Sequence, residues 1–338
     1  MMSNAPTPSV PTMRDVAAAA GVSKALVSIV FRGAPGASDE TRARVFAAAE
    51  QIGYRTNRTA SLLALRRNKH IGLTMRVRNA FHAELVEGLQ AAADEVDYRL
   101  VLGTVTANHD ERHAVETLLE FRCEALILLG STLTRAGLQE LAATRPVVLV
   151  GRRVSLDNLD IVRSADDRGM EAVVDHLVSL GHRRIVHIAG GPGAIAADRR
   201  RGYIRAMRRH GLTEHTRILT GGASEADGWR AAEELERGEQ PTAITAFNDH
   251  CALGAVDRLT RSGTSVPEAV SVTGYDNSFV AQLAAVDLTS VSQEPAVQAQ
   301  WAIQAAVDRL EGRRTQPAQV VLEPRLVVRG STAPPLGT

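Results

Sequence analysis

The chain has 338 residues, 44% of them hydrophobic, with two cysteines and a formal net charge of +1. That length exceeds what one hydrophobic core usually organises and points to two or three domains. The sequence has no apolar run of about 18 residues, and its opening MMSNAPTPSVPT lacks a basic or an apolar signal region, so neither a membrane span nor a secretory leader is expected and the chain reads as cytoplasmic. Cys123 and Cys251 lie far apart, without a C-x-x-C pairing or a histidine at metal-ligand spacing. A reducing compartment fits, and no metal or cofactor is expected. The charge is uneven: residues 1–69 carry 10 Lys and Arg against 4 Asp and Glu, and the remainder carries 29 against 34. A basic end on a mildly acidic body is suited to meeting a polyanion.

Residues 1–11 are expected to form a disordered tail. In MRDVAAAAGVSKALVSIVFRG, from Met13 to Gly33, an alanine-rich run is broken at Gly21 and restarts at Ser23. Thr12 with Asp15 three residues on predicts a capped helix start, with Val16, Ala19 and Ala20 on one face. Gly21 can take the left-handed backbone of a sharp exit. Ser23 then caps a second helix with Leu26, Val27 and Val30 as its apolar stripe. Two short helices about a glycine turn predict a helix-turn-helix, whose second helix enters the DNA major groove. A third helix follows Ser38, with Val45, Phe46, Ala49 and Ile52 at helical spacing and Gly53 as its stop.

The next segment, GYRTNRTASLLALRR, taken with TMRDVAAAAGVS and DETRARVFAAAEQIGYR, resembles the headpiece and hinge of the LacI/GalR family of transcriptional regulators. The resemblance runs from about Thr12 to Thr332. It implies a DNA-binding headpiece over 12–57 and a hinge helix and linker over 58–68. The hinge helix would lie in the minor groove, where Asn57, Ala60 and Leu63 fit an N-x-x-A-x-x-L pattern and Leu63 is the wedge between bases, with Arg58 beside it. Thr56 and Ser61 stand where the family usually has Pro and Arg. The family's base-reading positions fall on Lys24, Ala25 and Ile29. Lys24 can donate to guanine, whereas Ala25 and Ile29 offer apolar contact to thymine methyls. Thr12, Ser23 and Ser28 are phosphate anchors or caps.

From His70 onward, short apolar runs alternate with amphipathic stretches: HIGLTMRV, YRLVLGTV, EALILLGS, RPVVLVGR, RRIVHIAGG, PTAITAFND and AVSVTGYDN. This is the signature of parallel sheets built from βαβ units, and its length implies two α/β lobes. The resemblance makes residues 69–332 a periplasmic-binding-protein-like core of two flavodoxin-like subdomains, with crossovers near Ala165, Gln293 and Val321 and a tail over 333–338.

Ligands of open α/β sheets lie beyond the carboxyl ends of the strands. There the sequence places Asn79, Phe81 and His82, then Ser131, Arg152 and, after the first crossover, Asp166. Arg199 in DRRRGY matches the family's R-x-x-G-Y motif, and Trp229, Asn248, Asp276 and Gln293 complete the set. Carboxylates and amides suit paired hydroxyls, Arg forks two oxygens, and Trp229 or Phe81 can stack on a sugar face. Several have plainer readings: Trp229 as helix packing, Asn248 with Asp249 as a helix cap, Asp276 as turn chemistry, His82 as a helix-start residue. The AGGPGA run lacks a G-K-[ST] ending and reads as a turn, not a phosphate loop.

The expected protein is therefore a transcriptional regulator, a repressor, controlled by a small ligand such as a sugar. It is expected to act as a homodimer on double-stranded, palindromic operator DNA with a central CG step, its dimer contacts including the helix from His82. The tail STAPPLGT has no heptad repeat. The competing readings are a sugar-processing enzyme, for which Asp166, Asp167 and Asp276 would supply carboxylates, and a solute-binding protein. No nucleophile elbow, H-E-x-x-H or Cys-His signature supports catalysis.

Overall fold

The computed structural model describes residues 11–31, 34–54, 68–235 and 240–336. It divides into two compact units, residues 1–68 and 69–338.

In the first unit, α1 (Met13–Ala20) opens with a full capping box. The Thr12 hydroxyl oxygen accepts from the Arg14 N–H at 3.2 Å, and the Asp15 carboxylate accepts from the Thr12 N–H at 2.6 Å. Hydrogen bonds from the Thr12 hydroxyl and the Thr12 N–H hold the Asp15 carboxyl below the usual range. Gly21 ends α1 at φ 64°, returning its N–H to the Ala17 and Ala18 carbonyls. Ser23 caps α2 (Lys24–Phe31) through the Leu26 N–H at 3.1 Å, and Ser38 caps α3 (Asp39–Gln51) through the Thr41 N–H.

Val16, Ala17, Ala20, Val27, Val30, Val45, Ala48, Ala49 and Tyr54 form one small core. Three expected core residues lie outside it, of which Leu26 is half-buried. Ala19 is exposed, its place taken by Ala17, and Phe46 is 51% exposed, its ring edge-on to Phe31 at 5.6 Å. The inward face of α3 is set by Val45, Ala48, Ala49 and Ile52, and Phe46 sits about 100° round the helix from Val45.

The second unit is built on two sheets. One is six-stranded and parallel, in the order β11-β5-β4-β3-β1-β2, from β1 (His70–Arg76), β2 (Arg99–Val105), β3 (Ala125–Leu129), β4 (Val147–Val150), β5 (Asp160–Ser164) and β11 (Gln319–Leu322). The other is a parallel sheet in the order β7-β6-β8-β9, from β6 (Ile185–Ile188), β7 (Arg217–Leu219), β8 (Ala243–Ala246) and β9 (Ser271–Thr273). Beside β9 runs β10 (Ser290–Ser292), joined by isolated bridges at Thr273 and Asp276 and paired antiparallel with β12 (Arg325–Val327).

Helices cover both faces of each sheet, which is why strands such as Ala125–Leu129 are apolar and buried throughout. On the first sheet these are α4 (Ala80–Glu95), α5 (Glu111–Glu120), α6 (Arg135–Ala142) and α11 (Pro295–Leu310). On the second they are α7 (Asp166–Ser179), α8 (Ala194–Arg209), α9 (Glu225–Leu235) and α10 (Asp249–Arg261). The chain leaves the first sheet after Ser164, returns between Ser292 and Pro295, and leaves again between Leu322 and Arg325. Val321 itself lies inside β11. The seven strands read from the sequence are all present. The five others, β5, β7, β10, β11 and β12, have three to five residues each.

Candidate functional site

In the first unit the opening turn of α2 is open to solvent: Lys24 and Ala25 are exposed, while Ser28 and Ile29 are half-buried. Ile29 lies against the following loop, where a Cβ on Gly36 would stand 3.8 Å from its Cγ2. The Thr12 hydroxyl accepts from Arg14 and donates to Asp15 at 2.7 Å, so its first role is the cap. Ser23 is likewise a cap, its oxygen taken by the Leu26 N–H. Asn57, Arg58, Ala60 and Leu63 lie outside the described residues.

In the second unit the carboxyl ends of β1, β3, β4 and β8 converge on a cavity of about 60 Å³. The first lobe contributes Asn79, Phe81, His82 and Leu85 with the Gly130 and Val150–Gly151 turns. The second contributes Ile195, Arg199, Phe247, Asn248 and Asp276, and Gln293 comes from the second crossover. A wider cleft of about 740 Å³ shares Asn79 and Asn248 and carries Arg76 and Arg78 on one wall, with Glu225 and His250 on the other.

At the floor, Arg199 is held on three sides. Its Nε donates to Asp166 at 2.8 Å, Nη1 to the Phe247 carbonyl at 2.6 Å and Nη2 to Asp276 at 3.3 Å, and its guanidinium stacks 3.6 Å from the Tyr275 ring centroid. This is a planar fork in a prepared socket, a geometry that lysine would not reproduce. Burial works against the Arg199 charge, and Asp166 and Asp276 outweigh it, holding the guanidinium above its ordinary pKa. Gln293 donates to the same Asp276 oxygen at 2.7 Å, and Gln298 holds the Gln293 carbonyl at 2.7 Å. Asp276 sits at φ 104°, a strained conformation for a side-chain-bearing residue, and such strain gathers at functional sites. Burial, against the pull of Arg199, pushes its carboxyl up to about 7.

On the other wall Asn79 caps α4 through the His82 N–H at 3.2 Å. The His82 ring accepts from the Arg76 N–H at 3.1 Å, and burial pushes its pKa down to about 3, so it is neutral. Asn248 caps α10 through the Cys251 N–H at 2.9 Å while its amide donates to the Ala223 carbonyl at 3.1 Å. The small cavity is thus lined by rings, amides, aliphatic side chains and one charged pair, a lining suited to hydroxyl groups, and it opens beside a cleft with charged walls.

Residues 12–57 match the model for bacterial regulatory proteins of the lacI family, and residues 174–332 match a periplasmic binding protein-like domain. The chain is 31% identical over 330 residues to the HTH-type transcriptional regulator GalR of Escherichia coli K12, covering 96% of each. It belongs to the LacI family of transcriptional regulators. The structure of a complex of the transcriptional regulator CelR with cellobiose is similar at TM-score 0.70 and 30% identity, over 95% of this chain and 99% of that one. The lac repressor dimer bound to operator and the anti-inducer ONPF is similar at TM-score 0.82 and 26% identity, over 96% and 100%.

Of the residues the sequence suggested for a ligand, the LacI-family core brings Asn79, Phe81, His82, Arg199, Asn248, Asp276 and Gln293 to one cavity. Asp166 lies behind it, almost wholly buried on Arg199. Three further residues fall outside that lining. Trp229 is half-buried on α9, its ring beside Arg258 and Arg261 of α10 at 5.5 and 5.8 Å. Arg152 binds the Ser131 and Leu133 carbonyls at 2.8 and 3.0 Å and so closes the loop after β3. The Ser131 hydroxyl accepts from the Leu133 N–H in that same loop. Ile195 and Phe247 also line the cavity without standing among the residues expected from the sequence, although Phe247 directly follows β8, where the strand-end rule places ligand contacts. Among the described residues no cluster of His, Cys, Asp and Glu is arranged to hold a metal, and no helix is long and apolar enough to cross a membrane.

Proposed function

We propose that the protein is a dimeric repressor that binds a palindromic operator with a central CG step and is controlled by a sugar or sugar derivative in the cleft. The observation that carries the reading is the headpiece: a match to the lacI DNA-binding model over 12–57, with Lys24 and Ala25 open at the start of its second helix. Lys24 donates to a guanine in each half-site, Ala25 and Ile29 meet thymine methyls, and Ser23, Ser28 and Thr12 face phosphates. Asn57, Arg58, Ala60 and Leu63 supply the minor-groove contacts, with Leu63 as the wedge. Two headpieces are needed because one buries too little surface for specific affinity.

The sugar reading is supported by the buried Arg199 and Asp276 pair beside Asn79, Asn248 and Gln293, and by cellobiose in the similar CelR structure. Phe81 and Phe247 offer ring faces and His82 a neutral imidazole. Binding shifts the relation of the two lobes, and the hinge over 58–68 carries that shift to the headpiece. The chain acts in the cytoplasm as a binder and not as an enzyme, a reading supported by the three carboxylates all being engaged by arginines, Asp166 and Asp276 by Arg199 and Asp167 by Arg205. The test is selection from random duplex DNA by the full-length protein at about 150 mM salt, where non-specific phosphate attraction is weakened. An enriched palindrome centred on CG is expected, and selection of no sequence would refute the reading.

A further inference from the structure

Behind the cleft, four charged groups are buried with an imbalance of sign. Asp166, Asp249 and Asp276 surround the buried Arg199, none more than 7% exposed, with the half-buried Arg163 of β5 as a further cation acting on Asp166. Asp249 opens α10 and lies outside the cavity lining. Its carboxylate is cradled by neutral donors: the Ser290 hydroxyl at 2.5 Å on Oδ1, and the Ser278 N–H and hydroxyl at 2.7 and 2.8 Å on Oδ2. Its own N–H donates to the Tyr275 carbonyl at 2.9 Å, and a Cβ on Gly274 would run into its carboxylate, so it abuts the turn that carries Asp276. Among the described residues no cation pairs with it directly. Three buried carboxylates cannot all stay ionised around one guanidinium without a large desolvation cost, and a proton is the cheapest neutraliser.

We propose that Asp249 is a positioning residue that shares one proton with Asp276, so that effector binding is proton-coupled: a sugar hydroxyl competes with that proton for the Asp276 carboxylate. The coupling rests on the sugar reading of the cleft, whereas the shared proton does not. Groups facing the pair from the surrounding elements agree with it. Asp166 and Asp167 come from α7, Arg199 from α8, and Glu84 from α4, where its carboxylate binds the Phe279 N–H at 2.8 Å. His82 is neutral, Tyr275 is held protonated by burial, and His250, next to Asp249, is turned to Glu225. Against the carboxylates stand Arg199, Arg163 of β5, whose charge acts on Asp166, and Arg205 of α8, which pairs with Asp167 at 3.1 Å. Burial, in part offset by the Ser290 and Ser278 donors, pushes Asp249 up to about 6, and the Asp249 charge in turn raises Asp276.

The experiment is carboxyl ¹³C NMR titration of the aspartates in the full-length protein, first without ligand and then with cellobiose as the probe. Two aspartates should titrate well above the ordinary range. Asp249→Asn should move the Asp276 midpoint down by about one pH unit or more. Ser290→Ala, a milder change that removes one donor from Asp249, should move the Asp249 midpoint up. All aspartates titrating below about pH 5, or an Asp276 midpoint indifferent to Asp249→Asn, would overturn the pair. Cellobiose should then lower the Asp276 midpoint, and its affinity should fall about thirtyfold from pH 8 to pH 5.5 in the unaltered protein but far less in Asp249→Asn. A proton-sharing pair that a calorimetrically bound sugar, cellobiose or another, leaves unmoved would overturn the coupling while the pair and the sugar reading stand, and binding of no sugar would overturn the sugar reading and the coupling with it.

Discussion

Replacing Arg199 with methionine keeps much of the side-chain volume and removes the charge that two buried carboxylates face. Asp166 and Asp276 are then left at 2% and 10% side-chain exposure without their cation, and the Phe247 carbonyl and the Tyr275 ring lose their partner. Breaking a buried ion pair from one side costs about 3 to 5 kcal/mol, so a loss of about 4 kcal/mol is expected at pH 8. The pH dependence separates this account from simple cavity formation. Without Arg199 both folded-state carboxyl pKa values rise further above their unfolded values near 4, and the folded state binds the extra protons. The deficit should therefore shrink as pH falls from 8 towards 5.5, by about 2 kcal/mol if one additional proton is taken up over about 1.5 units. Urea unfolding of the unaltered and Arg199→Met proteins at several pH values reads this directly, and adding Asp166→Asn to Arg199→Met should recover part of the loss at pH 8. A deficit under about 1 kcal/mol, or one that does not change with pH, would refute the electrostatic reading of the socket.

Two further outcomes follow from other parts of the molecule. Lys24→Ala should relax base preference at one position of each half-site, at a cost of about 1 to 3 kcal/mol against the preferred base, measured by repeating the duplex selection; an unchanged preference would remove Lys24 from base reading. Gly228→Ala would ordinarily stabilise a helix by about 0.5 to 1 kcal/mol, but a Cβ there runs into the Cys251 carbonyl where α9 crosses α10. A lower melting temperature is expected, with a net loss of about 1 to 3 kcal/mol, and a raised one would refute the close packing.

What was legible in the sequence followed from short-range rules. The Thr12, Ser23 and Ser38 caps, the Gly21 turn and the wholly buried strands each depend on a few neighbouring residues, and the structure has them all. Phe46 and Ala19 were misplaced because an apolar residue one position from a helix face differs from the face itself by only about 100° of rotation. Arg152 and Ser131 stand after strands, as ligand-site residues do, yet their loops need those donors and acceptors for closure. Trp229 depended on the rotation of α9, which packing against α10 decides. Asp249 looked like a helix-cap neighbour because its partners Ser278 and Ser290 are 29 and 41 residues away and meet it only in the folded core.

In the proposed mechanism a small ligand in the core sets the DNA affinity of the headpiece. This coupling is tested most directly by titrating the selected duplex with full-length protein, with and without saturating monosaccharides and disaccharides, while calorimetry identifies which sugars bind. For a sugar that binds, the account predicts a change in operator Kd of about 5- to 150-fold, the span of a coupling of about 1 to 3 kcal/mol. A sugar that demonstrably occupies the cleft and leaves the operator Kd unchanged would contradict it.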